Sequence, residues 1–179
     1  GDSFAGSYAG TGTEKLLLST DRGFGFTASF ADMTSKIKAG RAFITAEGAN
    51  ILPPKVIRED DTHIAVLSEK GRMLLFETNE LRELSAGGQG VILMGLEDGE
   101  KLMCALPCRT EPLTVTMQAK NGSVHTSDLT EKTVLSHVGK RSRKGKALGT
   151  RFRAVSLAKK NPAAPAKPDD GPEELSLEG

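Results

Sequence analysis

Three passages of this chain repeat one plan. Each opens with a run rich in Leu, Val and Ile, turns on a polar triplet that ends in glycine, and returns as a second extended run. The turn glycines lie 48 and 51 residues apart, in the triplets Asp21-Arg22-Gly23, Glu69-Lys70-Gly71 and Lys120-Asn121-Gly122. Glycine supplies the positive φ angle that a tight hairpin turn requires. The pattern therefore predicts three β-hairpins.

A second glycine follows each hairpin and precedes a further apolar stretch. These glycines, Gly40, Gly88 and Gly145, are 48 and 57 residues apart. Repeats of this length, built from hairpins, are typical of propellers, pinwheels and solenoids of small antiparallel sheets. The alternative is a plain β-sandwich whose glycine-rich hairpins match by chance. We predict an all-β, propeller-like fold of roughly three blades, with repeats at about 14–60, 61–110 and 111–160.

Both flanks differ in composition from the repeats. Residues 1–13 are rich in Gly, Ser and Ala, and we interpret them as a leader or linker. Residues 161–179 contain Pro and Ala followed by five acidic side chains. Such a composition cannot bury enough apolar surface to fold alone, so we expect a flexible acidic tail. We also predict that this tail competes with an anionic ligand for basic side chains elsewhere in the chain.

One short helix is predicted, within residues 127–138. Ser127 is its candidate N-cap, and Val134, Leu135 and Val138 would lie on one side of it. Helical periodicity is nearly absent from the rest of the chain.

The sequence gives no sign of export or membrane insertion. The longest apolar runs, such as Leu102–Leu106, are far shorter than the roughly twenty residues that cross a bilayer. The first residues lack a basic region followed by an apolar one, so no secretory signal is predicted. Cys104 and Cys108 lie in or beside an apolar run and are predicted to be buried free thiols. We expect a cytoplasmic location.

Charge is strongly segregated along the chain. Residues 132–168 hold eleven Lys or Arg and no acidic residue, although the net charge of the whole chain is only +1. Residues 169–179 hold five acidic residues and no basic one. A basic block of this density attracts a polyanion, and nucleic acid is the commonest candidate. The alternative is a solvated basic stretch without a ligand.

Ten basic residues are the candidate contacts to a nucleic acid. Phosphate contacts should dominate, because Phe152 is the one aromatic residue interleaved with the basic block and base readout by stacking needs more. Arg151 and Arg153 would share one face of a strand, since side chains alternate with a period of two. Five to seven phosphate contacts would lower log affinity with log salt at a slope of roughly −4.5 to −6. The candidates are Lys36, Lys38, Arg41, Lys140, Arg141, Arg143, Lys144, Lys146, Arg151 and Arg153.

Catalytic signatures are absent from the sequence. It contains no HExxH, no GxSxG and no Walker phosphate loop. His63, His125 and His137 are isolated from one another, and the two cysteines lack a second ligand pair for zinc. We predict neither a catalytic residue nor a metal site in this chain.

Several segments resemble, in order, the C-terminal domain from the A subunit of bacterial DNA topoisomerase IV, a relative of the gyrase A C-terminal domain. They are LLLSTDRGFGFTASF (16–30), KAGRAFIT (38–45), ILPP (51–54), LSEKGRMLLFETNELRELSAGGQG (67–90) and GKRSRKGK (139–146). The resemblance implies a β-pinwheel, with strands exchanged between neighbouring blades and a basic rim that bends duplex DNA. Three such blades should not close a ring.

The resemblance also implies a role and partners. The domain would position duplex DNA for strand passage in decatenation and supercoil relaxation, within a heterotetramer that the A subunit forms with the ATPase-bearing B subunit. ATP, magnesium and the cleavage tyrosine would belong to other parts of that type II topoisomerase. The gyrase-type box has no intact counterpart, because SAGGQG (85–90) lacks its arginines. Bending is therefore expected rather than gyrase-like wrapping.

Two other functions stay open at this point. A propeller-like platform could use the basic block to dock an acidic protein. An enzyme would need a deep pocket with convergent titratable side chains, which this inventory of residues does not favour.

Overall fold

The computed structural model describes residues 6–160, which form three antiparallel sheets with very little helix. The predicted all-β class is confirmed. The first five residues of the predicted leader and the acidic tail at 161–179 lie outside the described range. The described strands are β1 (Lys15–Ser19), β2 (Phe24–Ser29), β3 (Lys55–Ile57), β4 (His63–Ser68), β5 (Arg72–Glu77), β6 (Val91–Ile92), β7 (Leu102–Cys108), β8 (Leu113–Gln118), β9 (Val124–Leu129), β10 (Lys146–Ala147) and β11 (Arg153–Lys159).

The three predicted hairpins are present as β1–β2, β4–β5 and β8–β9. Their turn glycines have φ angles of 84°, 78° and 85°, the left-handed conformation that the sequence pattern required. The apolar runs alternate between the two faces of each sheet, and both faces of β4 and β5 are buried between neighbouring blades. The repeat pattern of the sequence therefore corresponds to one sheet for each repeat.

Neighbouring sheets exchange strands. The strand orders are β3-β1-β2-β6, β10-β5-β4-β7 and β11-β8-β9. Strand β6 belongs to the second repeat but pairs with β2 of the first sheet, and β10 belongs to the third repeat but pairs with β5 of the second. This exchange is the pinwheel arrangement that the resemblance implied.

The core is divided into thin layers between blades. One cluster, which includes Leu67, Met73, Leu113 and Val115, joins the second sheet to the third. Another, which includes Phe76, joins the first sheet to the second. Aliphatic residues fill most of both layers, as expected for a chain with few aromatic residues. Cys104 and Cys108 are buried and free, which confirms the prediction for them.

The stretch after Gly40 does not form the predicted strand. Within the described part of the chain, its one sheet-like contact is an isolated bridge between Ile44 and Gly88. In the other two repeats, the strand after the second glycine pairs with the sheet of the preceding repeat. Among the described residues no sheet precedes the first repeat, so this stretch has no edge with which to pair.

The predicted helix begins later than expected. Helix α1 spans Phe30–Met33, a 3-10 helix spans Thr78–Glu80, and helix α2 spans Glu131–Leu135. Thr130, not Ser127, caps α2, because Ser127 is paired with Val115 in the β8–β9 hairpin. None of the described helices is long and apolar enough to cross a membrane.

Candidate nucleic-acid interface

Three loops are joined into one continuous ridge by backbone hydrogen bonds. We call residues 34–45, 85–95 and 139–146 the loop ridge. The Gly88 amide donates to the Phe43 carbonyl and the Thr45 amide donates to the Gly88 carbonyl, both at 2.9 Å. Further along, the Ser142 amide donates to the Leu93 carbonyl at 3.1 Å. The basic loops of the first and third repeats therefore lie on one connected surface, although about 100 residues separate them.

Arg141 contacts the second repeat through both its side chain and its backbone amide. Its Nη1 donates to the Ile92 carbonyl at 2.6 Å, and its backbone amide donates to Glu80 Oε2 at 2.9 Å. Lys140 adds an ion pair to the same glutamate, at 3.8 Å. Because these contacts hold the 139–146 loop against the second repeat, Arg141 is poorly placed to bind a phosphate.

Three other candidate cations also have partners within the chain. Arg41 Nη2 donates to the Asp32 carbonyl at 2.9 Å, and the guanidinium lies 5.1 Å from the centre of the Phe43 ring. Lys146 Nζ donates to the Ser136 carbonyl at 2.8 Å. Arg153 forms an ion pair with Glu69 at 3.5 Å. These side chains remain exposed, so a phosphate could bind them only in competition with these contacts.

Five candidate cations are exposed and have no side-chain partner in residues 6–160. All five lie in loops, where a long side chain can follow an anionic backbone. They are Lys36, Lys38, Arg143, Lys144 and Arg151. The first four lie on the loop ridge.

The prediction that Arg151 and Arg153 share a strand face is wrong. Strand β11 begins at Arg153, and Arg151 lies in the bend before it. The chain has to turn there because residues 146–147 pair with the second sheet whereas residues 153–159 pair with the third. The two guanidinium groups are therefore presented independently.

One open cleft contains none of these five cations. An open cleft of about 660 Å³ is lined by Asp21, Glu97 and Glu100 among others. Its carboxylates have partners already, since Glu97 pairs with Lys70 at 2.7 Å and Glu100 pairs with Arg72. The three histidines lie in separate settings, and His137 donates from Nδ1 to the Thr133 carbonyl at 2.8 Å. Among residues 6–160, these clefts and histidines contain no convergent set of unpaired titratable groups.

Comparison with known proteins agrees with this geometry. Residues 62–109 match the family described as DNA gyrase C-terminal domain, beta-propeller. The A subunit of DNA topoisomerase 4 from Escherichia coli strain K12 is 39% identical over 75 residues, which are 41% of this chain and 10% of that protein. The Neisseria gonorrhoeae protein of the same name is 28% identical over 136 residues, 73% of this chain and 18% of that protein.

A solved structure extends the match to most of the fold. The E. coli ParC C-terminal domain superimposes with a TM-score of 0.70 and 26% identity, covering 83% of this chain and 61% of that one. The chain has a β-pinwheel fold similar to that of this solved domain. The resemblance inferred from the sequence is thereby confirmed. The pinwheel matches only 10% to 18% of the length of the two curated relatives.

The pinwheel uses its SAGGQG segment to join two repeats. Gly87 has a φ of 80°, and a Cβ placed on it would lie 2.0 Å from the Phe43 carbonyl oxygen. The segment at the degenerate gyrase box thus contributes close backbone packing, not charge.

In the second repeat, the exposed Arg82 has no side-chain partner among the described residues and was not among the ten candidates. Its carbonyl, which accepts from the Thr27 amide at 2.9 Å, places it beside the first sheet.

Proposed function

We propose that this pinwheel is a DNA-binding accessory domain of a topoisomerase IV A subunit, which holds duplex DNA through its phosphates and bends it. The observation that carries this proposal is the loop ridge, where four exposed cations lie on one hydrogen-bonded surface without partners in the described part of the chain. Such side chains can bind phosphates without first breaking an ion pair within the protein. The relatives, which are A subunits of DNA topoisomerase 4, support the assignment.

The contact would not depend on base sequence. Phe152 is the exposed aromatic residue nearest to the basic loops in sequence, and its ring stacks on His125 with centroids 4.8 Å apart and planes 7° from parallel. One face of the Phe152 ring is therefore covered, which leaves little surface for base stacking. Phosphate binding by flexible cations tolerates any sequence.

Within the whole enzyme, the pinwheel would position a duplex for strand passage during decatenation and supercoil relaxation. Its partners in a heterotetramer would be the remainder of the A subunit, together with the ATPase-bearing B subunit. Strand cleavage, ATP hydrolysis and the magnesium they need would be supplied outside this chain. The expected location is the cytoplasm, on the nucleoid.

A binding assay with charge-matched variants tests the proposal. Fluorescence anisotropy would follow a random-sequence duplex of roughly 40 base pairs at low salt. Replacing Lys36, Lys38, Arg143, Lys144 and Arg151 by Gln should lower affinity by at least about tenfold. The control replaces five cations elsewhere, Arg22, Lys55, Arg58, Lys70 and Arg109, and should change affinity much less. Equal losses in both variants would show that net charge alone attracts the DNA, and an unchanged affinity in the first would refute the proposal.

A further inference from the structure

The third sheet has an open edge where the first two sheets are closed. Strand β2 is flanked by β6 and strand β5 by β10, but within residues 6–160 strand β9 pairs only with β8. The fourth residue after each turn glycine shows the difference. Thr27 exchanges backbone hydrogen bonds with Arg82 and Leu84, and Leu75 with His137 and Gly139. The equivalent residue in β9, Thr126, has no such partner among the described residues.

The orientation of the backbone in β9 follows from its hairpin. The Ala119 amide donates to the Ser123 carbonyl at 2.9 Å, which makes this the bonded pair that closes the turn. Bonded and non-bonded pairs alternate in antiparallel strands. The backbone groups of Val124, Thr126 and Asp128 therefore point to the open edge. Such an edge readily accepts a further strand.

A groove with an apolar floor accompanies this edge. It has a volume of about 320 Å³ and is lined by Val115, Met117 and Leu129 of the sheet together with Leu148 and Phe152. The first three side chains are at most 8% exposed and belong to the core. Arg151 also lines the groove, and its side chain is exposed. A segment that fits here would carry apolar side chains on one face and acidic side chains beside them.

The chain direction allows the following residues to reach this position. Lys159 at the end of β11 is opposite Leu113 at the start of β8, so the chain leaves β11 at that end of the sheet. A strand antiparallel to β9 would begin at the same end. It would lie three strand spacings from β11, roughly 14 Å. The thirteen residues from Lys160 to Pro172 can span up to roughly 40 Å, which is more than this distance.

We propose that residues 173–178 add to β9 as the fourth strand of the third sheet. This segment reads Glu-Glu-Leu-Ser-Leu-Glu, so Leu175 and Leu177 would project on one face and enter the groove. Glu173, on the same face as the two leucines, would lie near Arg151. Docking itself does not depend on DNA binding. If the proposed function holds, the docked segment also competes with DNA for Arg151. This residue would then be the site at which the acidic tail reduces DNA binding.

A disulfide test uses the predicted faces. Ser176 would lie on the face opposite the two leucines, and Val124, Thr126 and Asp128 lie on the face of β9 opposite the groove residues. Each of these three is changed to Cys in turn, together with Ser176→Cys. We expect one pair, the one set by the true register, to form an intramolecular disulfide at least about tenfold faster than Lys120→Cys with Ser176→Cys, since the geometry of the bond is narrow. Cys104 and Cys108 are buried and should not interfere.

The leucines provide the decisive control. Adding Leu175→Asp and Leu177→Asp to the fast pair should abolish its advantage, whereas Glu173→Gln and Glu174→Gln should reduce it only in part. Equal rates for all pairs would overturn the proposal. A disulfide that links two chains would also overturn it, in favour of a second copy at the edge.

Hydrogen exchange of the unmodified chain is an independent readout without DNA. In the full chain the amides of Val124, Thr126 and Asp128 should exchange at least about tenfold more slowly than in the Leu175→Asp, Leu177→Asp variant. The amides of His125 and Ser127, which face β8, should be the same in both. No difference at the three edge amides would refute docking while leaving the proposed DNA binding untouched.

Discussion

The guanidinium of Arg141 donates a 2.6 Å hydrogen bond to the carbonyl of Ile92. Ile92 belongs to β6, the strand that the second repeat contributes to the first sheet. A loop of the third repeat thus secures a strand exchanged between the other two. Arg143, two residues later, is exposed and lacks a side-chain partner in residues 6–160. The two arginines of this basic motif therefore differ: Arg141 makes a structural contact, whereas Arg143 is left exposed.

Alanine substitutions should distinguish the structural contribution of Arg141 from a contribution of Arg143 to DNA binding. Arg141→Ala should lower the free energy of unfolding by about 1–2 kcal/mol, because the Ile92 carbonyl loses a charged donor. Arg143→Ala should leave stability within about 0.5 kcal/mol of the parent and reduce the salt slope of DNA binding by about one. Urea unfolding and anisotropy titrations measure the two effects. The reverse result, with Arg143 the stabilising residue, would contradict the structure.

Salt dependence should report the number of available cations. If the five cations without partners in residues 6–160 each neutralise one phosphate, log affinity should fall with log salt at a slope of about −4.5. The slope should approach about −9 only if all ten candidates contribute, at about −0.9 for each. A titration from low to moderate salt distinguishes these values. A slope near zero would argue against phosphate contacts altogether.

Two glycines with similar backbone angles should respond differently to alanine. Gly40 has a φ of 77° with open space where a Cβ would lie, whereas Gly87 has a φ of 80° and the Phe43 oxygen in the way. Gly40→Ala should cost about 1–2 kcal/mol, the strain of a left-handed residue. Gly87→Ala should cost about 3 kcal/mol or more, because the contact between two repeats must also open. Thermal unfolding of both variants checks the order, and equal losses would contradict it.

Acid should weaken the fold in part through Glu100. Burial alone would raise the pKa of its carboxyl, but hydrogen bonds from Ser68, the Glu97 amide and Arg72 lower that pKa below its ordinary value. A carboxyl whose pKa is lower in the folded state stabilises the fold above the unfolded pKa, near about 4.3, and this stabilisation is lost as the pH falls through the folded pKa.

Unfolding experiments between about pH 7 and pH 3 measure this contribution. Glu100→Gln should be less stable than the parent at neutral pH, and its stability should decline less on acidification. Glu97→Gln is the matched control, since that carboxylate pairs with Lys70 at the surface and the amide that binds Glu100 is kept. A larger effect at Glu97 than at Glu100 would show that the buried pair does not govern the acid response.

The thiols should be inert in the native protein. Burial raises the pKa of Cys108 to about 12, and the pKa of Cys104 is also raised, mainly by burial. At about pH 8 a thiol reagent should therefore react with neither cysteine until denaturant is added, when both should react. Rapid labelling of the folded chain would mean that β7 opens readily.

Local order and fold class could be read from the sequence because they depend on neighbouring residues. Turn triplets such as Lys120-Asn121-Gly122 specify a hairpin wherever the hairpin lies. The free, buried state of Cys104 and Cys108 follows from the apolar run that contains them. The family resemblance rested on segments whose order and spacing are visible in the chain itself.

The exchanged strands and the fate of each cation were decided by tertiary structure. Strands β6 and β10 are two residues long and exist only because an edge from another repeat pairs with them. The stretch after Gly40 has a similar pattern but no such edge among the described residues, so it stays irregular. Arg141 and Arg143 look equivalent in the motif Lys140–Lys146, yet only one lies within reach of the Ile92 carbonyl. Sequence periodicity predicts the hairpins and the candidate cations. Contacts between repeats that are far apart in the chain determine which of those cations are left without a partner.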